Sequence, residues 1–255
     1  MVRAPIAAEG RRRITAEILI VLGLSLGQSA VYSIVAIVNR STREQPLSQQ
    51  TATLNTTLDS REVFDLIYQL LDIAFALVPV VLVCWLLWSA TRPRLGRLGV
   101  DLTRPARDLG WGALLALVIG GGGIVVYLTG RALGVTVAVN PAGLTEHWWT
   151  IPVLLLSAAR AALQEEFIVV GYLFARLRDL GWRTWPIILV SAVLRGTYHL
   201  YQGWGSFVGN VLMGLAFGWI YARWGRLLPL VVAHFLIDAV IFVGYPFVAT
   251  WPLLS

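Results

Sequence analysis

Seven long apolar runs, separated by short segments rich in arginine, most constrain what this chain can fold into. Of its 255 residues, 57% are hydrophobic and only 13% are charged, whereas a soluble domain carries about 25% charged residues. About 20 apolar residues in a helix cross the hydrocarbon core of a bilayer, so these runs are typical of membrane spans. The sequence therefore predicts an all-α, polytopic transmembrane bundle. The runs cover residues 14–38, 62–90, 109–129, 148–174, 185–201, 207–222 and 227–247.

The arginines concentrate in alternate segments between the runs, as the positive-inside rule requires of cytoplasmic loops. This pattern predicts a multi-pass protein of the inner (plasma) membrane with seven spans and a cytoplasmic N-terminus. An eighth span near the C-terminus is also compatible, because no charged residue follows Asp238. The net charge of +6 is explained by these loops, so no nucleic-acid partner is expected. The arginine-rich segments are residues 1–13, 91–108, 175–184 and 223–226.

Three of the runs carry ionisable side chains, which are costly in a membrane unless they are paired, hydrated or protonated. In the fifth and seventh runs the two ionisable residues are four apart and lie on one helix face. Three helices that present such groups at similar depth predict a polar, water-filled cavity inside the bundle, opening towards the cytoplasm. These residues are Glu165 and Glu166 in the fourth run, Arg195 and His199 in the fifth, and His234 and Asp238 in the seventh.

These residue types suit hydrolysis. A carboxylate can act as general base towards water with a histidine beside it, while a second histidine and a side-chain donor stabilise an oxyanion. Alternatively, two histidines and a carboxylate can hold a zinc ion and leave one position for water. The sequence leaves both cofactor alternatives, zinc or no metal, open. Nucleophilic acyl transfer is disfavoured, because no serine or cysteine accompanies the histidines in a recognisable motif.

The three segments resemble the motifs of the CPBP family (CAAX proteases and bacteriocin-processing enzymes, also called the Abi family). The family includes the type II CAAX prenyl endopeptidases. Its first motif, E-E-x-x-x-R-G, resembles EEFIVVG at 165–171, and its second, F-x-x-x-H, resembles RGTYH at 195–199. Its third, H-x-x-x-N or H-x-x-x-D, resembles HFLID at 234–238. The resemblance covers roughly 148–243. It implies that residues 1–147 supply N-terminal spans and loops, and that 148–255 supply the catalytic helices of one integral membrane unit.

The resemblance implies an intramembrane endopeptidase with a role for each motif residue. Glu165 would activate water with His199 beside it, and Glu166 would orient the site. His234 and Asp238 would hold the oxyanion or the substrate carbonyl. The family's mechanism has been described both as metal-dependent and as a metal-independent glutamate type. The implied partners are the lipid bilayer and a membrane-associated peptide or protein substrate; in a bacterial host, prenylated substrates are not expected.

Two positions depart from the family pattern. Val170 stands where the first motif has arginine, and Arg195 stands where the second has phenylalanine. We hypothesise that the two compensate, with Arg195 reaching Glu166 from the neighbouring helix. Arg160, in the fourth run, is expected to be structural and to pair with a carboxylate or a helix terminus. Tyr201 is compatible with an interfacial belt or with a substrate entrance.

Two other functions are compatible with the sequence. The fold could serve as a non-catalytic membrane scaffold or bacteriocin-immunity factor, which the missing arginine at position 170 favours. Buried glutamate and histidine also occur in proton-coupled transporters. The sequence shows neither an inverted repeat nor a pair of broken helices, so a transporter is disfavoured.

Overall fold

The computed structural model describes residues 8–248 as a helical bundle with one small sheet. Residues 1–7, on which part of the expected N-terminal orientation depends, and residues 249–255 lie outside the described residues. The α-helices are α1 (Ala8–Gly23), α2 (Leu26–Ser41), α3 (Glu62–Ala76), α4 (Val78–Leu86), α5 (Pro105–Ala132), α6 (Thr150–Glu165), α7 (Leu173–Asp179), α8 (Thr184–Tyr198), α9 (Trp204–Trp224) and α10 (Leu228–Val248). A π-helix, Glu166–Tyr172, joins α6 to α7, and the strands are β1 (Thr51–Thr53) and β2 (Ala138–Asn140).

Helices occupy all seven positions where the sequence predicts spans, but the number of spans is smaller by length and composition. Among the described residues four helical segments are long and apolar enough to cross a membrane: Glu62–Leu86, Pro105–Ala132, Trp204–Trp224 and Leu228–Tyr245. A fifth is added if α1 and α2, which meet at an angle of 58°, count as one bent span. The 15-residue α8 falls short, because it rises about 22 Å against a hydrocarbon core of about 30 Å. The all-α membrane bundle is therefore confirmed, whereas the seven-span count is not.

The first predicted span is broken rather than continuous. The break follows Gly23, and the Ser25 hydroxyl donates to the carbonyl of Val21 at 2.6 Å. A side chain at Gly27 would come within 2.7 Å of the Leu22 carbonyl oxygen, so the tight bend requires glycine there. The two halves therefore point in different directions and contact different parts of the bundle.

Two long loops form a cap at one end of the bundle, defined here as residues 42–61 and 133–149. They are joined by β1 and β2, which pair in parallel. The cap is tied to the turn that follows α8, because the Val137 amide donates to Gln202 and the Trp204 amide donates to Val135. Gly203, with φ of 101°, makes this approach possible. The cap therefore fixes the chain immediately after His199.

The opposite end is held by an arginine in the turn between α9 and α10. Arg226 donates from Nη1 to Asp101 at 2.8 Å, and from Nε and Nη2 to Asp108 at 2.8 and 2.5 Å. Asp108 lies in the first turn of α5. The turn at this end is therefore clamped to the start of α5 by a set of charge-assisted hydrogen bonds.

The apolar core is centred on the π-helix. Ile168, Val169 and Val170 are each 0% exposed and belong to the larger cluster of buried apolar side chains. That cluster takes in side chains from α4, α8 and α9, so the π-helix is surrounded on several sides. Val170, where the family pattern has arginine, therefore lies in an apolar environment.

Candidate active site

The six ionisable residues that the sequence selects come together at the centre of the bundle. Glu165 ends α6 and Glu166 begins the π-helix. Arg195 lies in the last turn of α8, and His199 follows that helix directly. His234 and Asp238 lie one turn apart on α10. The six residues are Glu165, Glu166, Arg195, His199, His234 and Asp238, called the site cluster below.

Arg195 lies between the two glutamates. Its Nη2 donates to Glu166 Oε1 at 2.6 Å, and its Nη1 is 3.4 Å from Glu165 Oε2. The side chains of Arg195 and Glu166 are both 0% exposed. The contact between Arg195 and Glu166 that the sequence predicts is therefore confirmed. A cation at this depth offsets the burial of two adjacent carboxylates.

His234 bridges two carboxylates. Its Nδ1 is 2.8 Å from Glu166 Oε1, and its Nε2 is 3.5 Å from Asp238 Oδ2. Carboxylate oxygens accept hydrogen bonds, so both contacts are satisfied together only when both ring nitrogens carry hydrogen. In this arrangement His234 has no free nitrogen to offer a substrate.

Glu165 has one oxygen fixed and one oxygen turned towards the remaining histidine. The Tyr198 hydroxyl donates to Oε2 at 2.7 Å, while Oε1 is 3.7 Å from His199 Nε2. Both ring nitrogens of His199 are buried atoms that have no hydrogen-bond partner among the described residues. Glu165 and His199 therefore face each other with hydrogen-bonding capacity to spare.

The site cluster has a closed side and an open side. Glu166 and Arg195 are inaccessible, whereas the side chains of His199 and Asp238 are 21% and 18% exposed. Glu166 Oε2 and Arg195 Nε also have no hydrogen-bond partner among the described residues. Buried polar atoms of this kind are costly unless something binds them. Water or a substrate can therefore be bound on the open side, next to His199.

Residues 147–240 match the family model of the type II CAAX prenyl endopeptidases, Rce1-like. This region is a CAAX protease family domain. The match takes in all three motifs and confirms the resemblance that the sequence shows. No curated protein and no solved structure matches the chain. The family is one of proteases, which supports a hydrolase.

The predicted polar cavity is not an open space around these family motifs. The guanidinium of Arg195 fills the region between the glutamates and packs on the ring of Phe217, 5.4 Å from its centre. Among the described residues two prominent cavities lie elsewhere. One of about 360 Å³ is lined by α5, α9 and the cap, and one of about 570 Å³ is lined by Leu58 and α3.

The motif residues do not form a metal-binding set in this arrangement. Within residues 8–248 no three histidine, cysteine, aspartate or glutamate side chains are placed to hold one metal ion. Both nitrogens of His234 face carboxylates, and Arg195 places a positive charge between Glu165 and Glu166. A cation would have to displace Arg195 from these oxygens. The residues therefore do not fit zinc, and no step is routed through a metal below.

The π-helix positions the first CAAX protease motif. Its backbone amides bond five residues back rather than four, as in the bond from the Leu173 amide to the Ile168 carbonyl. The Ser191 hydroxyl donates to the Val169 carbonyl at 2.8 Å and so supports the altered ladder from α8. Such π segments are rare and occur frequently at functional sites. The sequence contains no signal for this one.

Sequence reasoning also missed Tyr198. It is buried, and it donates the hydrogen bond that fixes Glu165. Its own backbone carbonyl accepts from Ser33 of α2 at 2.8 Å, which ties the end of α8 to the N-terminal half of the chain. A hydroxyl-bearing side chain directly before the motif histidine was the available signal.

The expected partner of Arg160 is not present. Its Nε is a buried atom that has no hydrogen-bond partner among the described residues. No carboxylate in the described part of the chain lies within ion-pair distance of it either. The prediction that Arg160 pairs with a carboxylate or a helix terminus is therefore wrong.

Proposed function

We propose that the protein is an intramembrane endopeptidase that hydrolyses a peptide bond in a membrane-associated peptide or protein. The observation that carries this proposal is the pairing of a fixed Glu165 carboxylate with a histidine that has both ring nitrogens free. A water molecule between Glu165 Oε1 and His199 would contact both a base and a hydrogen-bonding partner. The match to a protease family gives independent support.

The hydrolysis would proceed through Glu165 without a metal. Glu165 takes a proton from water, the hydroxide attacks the scissile carbonyl, and the protonated Glu165 returns that proton to the leaving amine. The resemblance assigns the oxyanion to His234 and Asp238. Because both nitrogens of His234 are engaged with carboxylates, we assign the oxyanion contact to an N–H of His199 instead.

The rest of the site cluster keeps the charges in place in this mechanism. Glu166 is held by Arg195 and His234, and His234 is held in turn by Asp238. These contacts keep one carboxylate occupied, so that Glu165 is the carboxylate that remains available. His234 and Asp238 therefore act as positioning residues in our proposal.

We also propose the topology that the arginine distribution favours. The helices from α6 to α7 and the short α8 lie within the membrane, which gives seven spans in a bacterial plasma membrane with a cytoplasmic N-terminus. Residues 1–147 and 148–255 act as one integral unit. The hydrogen bond from Ser33 to Tyr198 supports this, since it joins the two parts beside the site.

A membrane-anchored peptide library cleaved by the purified protein in detergent tests the activity. Removing the base should lower the rate about 10²- to 10⁴-fold in Glu165→Gln, with a similar loss in His199→Ala. Matched controls are Glu146→Gln and His147→Ala, which lie in the cap and should cleave normally. A chelator should have no effect. Loss of activity with chelator would contradict the metal-free mechanism.

A non-catalytic scaffold or immunity factor is the second candidate. Val170 in place of the family arginine favours it, because that residue cannot pair with Glu166. Equal cleavage by wild type and both site variants, or no cleavage by any of them, would support this function over the enzyme.

A further inference from the structure

Arg160 is a cation without a counter-ion in the middle of a buried helix. It lies ten residues after Thr150, the first residue of α6, which places it about 15 Å along the helix. A charge at such depth is rare unless it serves a function. The arginine of the site cluster, one helix away, is fully paired by comparison, since Arg195 contacts both glutamates.

The surroundings of Arg160 belong to the open side of the site cluster. Tyr201, in the turn after His199, lies within electrostatic range of Arg160, Glu165 and Asp238. The Tyr201 oxygen accepts a hydrogen bond from Gln202 Nε2 at 2.8 Å. The phenolic hydrogen is therefore free to donate. Two unused donors, a guanidinium and a hydroxyl, thus lie near the exposed edge of the site.

We propose that Arg160 and Tyr201 form a subsite that binds a carboxylate of the substrate. This inference rests on the proposed function, because it places the ligand in the same substrate. A guanidinium matches a carboxylate with two parallel hydrogen bonds, and burial strengthens such a pair. The depth of Arg160 argues against a lipid phosphate, since head groups lie at the membrane surface.

The spacing on α6 indicates where that carboxylate lies. Arg160 precedes Glu165 by five residues, a rise of about 7.5 Å. An extended peptide covers about 3.3 Å per residue. The carboxylate therefore belongs to a residue about two positions from the bond that is cleaved. It is either an acidic side chain or a C-terminal carboxylate.

Cleavage of matched peptides tests the subsite. One set moves a glutamate along the positions around the cleaved bond, each peptide paired with its glutamine counterpart. A second set compares a free C-terminal carboxylate with its amide. Wild type should cleave one acidic member about tenfold faster in kcat/KM than its neutral counterpart. The set that shows the preference identifies the source of the carboxylate.

Two variants separate the subsite from a structural role. Arg160→Gln should lose the preference while cleaving neutral peptides as wild type does, and Arg160→Glu should reverse it in favour of lysine at the same position. Arg223→Gln, an exposed arginine at the end of α9, is the control and should keep the wild-type preference.

The outcomes distinguish this inference from the proposed function. Cleavage by wild type without any acidic preference, or a preference that survives in Arg160→Gln, would overturn the subsite and leave the protease intact. Loss of the preference on adding anionic lipid to neutral vesicles would assign Arg160 to a lipid phosphate and also overturn it. If wild type cleaves nothing, the proposed function fails. Binding of the same peptides to Glu165→Gln then decides the subsite alone: equal binding of acidic and neutral members would overturn it.

Discussion

Arg226 and Arg195 are both arginines that hold two carboxylates, yet they leave very different numbers of donors unused. All three nitrogens of Arg226 donate to Asp101 or Asp108 at the end of the bundle, where its side chain is 18% exposed. Arg195 is fully buried and donates one hydrogen bond, while Nε and Nη1 have no hydrogen-bond partner among the described residues.

The difference distinguishes an arginine that clamps helices from one that serves a site. A partly exposed pair adds little free energy of unfolding, because water competes for both partners. A buried pair is costly to disturb, because removing one partner leaves an uncompensated charge. Unused donors inside the protein are tolerated where water or a substrate can bind. We infer that the two arginines respond to substitution in opposite ways.

The largest effect is expected for Arg195→Ala. This substitution leaves Glu166 and Glu165 without their cation, so the free energy of unfolding should fall by about 3–5 kcal/mol and activity should be lost. Activity and thermal unfolding in detergent measure both. Arg226→Ala is the matched control and should cost about 1 kcal/mol or less with activity kept.

A second substitution sharpens this prediction. Val170→Arg, introduced into Arg195→Ala, returns the guanidinium to the position where the family pattern has it and should restore part of the activity. Normal activity in Arg195→Ala alone would contradict the assignment of Arg195 to the site.

An intermediate effect is expected for Tyr198→Phe. Loss of the hydroxyl frees the Glu165 carboxylate to rotate away from His199, so kcat/KM should fall roughly tenfold. The fold should persist, since the ring stays in place. Tyr32→Phe, an exposed tyrosine on α2, serves as the control. An unchanged rate in Tyr198→Phe would show that Glu165 needs no such support.

The smallest effect belongs to the clamp at Arg226. The Thr103 hydroxyl and amide, together with the Arg226 guanidinium, lower the pKa of Asp101 to about 2. The pKa of an unfolded aspartate is about 3.9, so Asp101 stabilises the folded protein fully above that pH. This contribution is lost as the pH falls towards 2. Acid unfolding followed by circular dichroism should therefore be shallower for Asp101→Asn than for wild type. Identical acid transitions would contradict this prediction.

The sequence predicts where the helices lie because each apolar run reports burial directly. It also predicts that three motifs share one site, since charges in lipid have to meet. The π-helix could not be predicted, because a run such as 167–170 is equally apolar whether its amides bond four or five residues back. The missing partner of Arg160 and the pairing of β1 with β2 depend on tertiary contacts that no local pattern contains.

The π-helix that begins at Glu166 makes the site depend on residue count as well as residue identity. Deleting one residue between 166 and 172 would still leave a continuous apolar helix long enough for the same place in the membrane. The part before the deletion would nevertheless turn by about 100° relative to the part after it. Glu165 would then point away from Tyr198 while every motif residue was still present. A gap of one residue in this stretch therefore separates a chain that keeps the fold from one that keeps the chemistry.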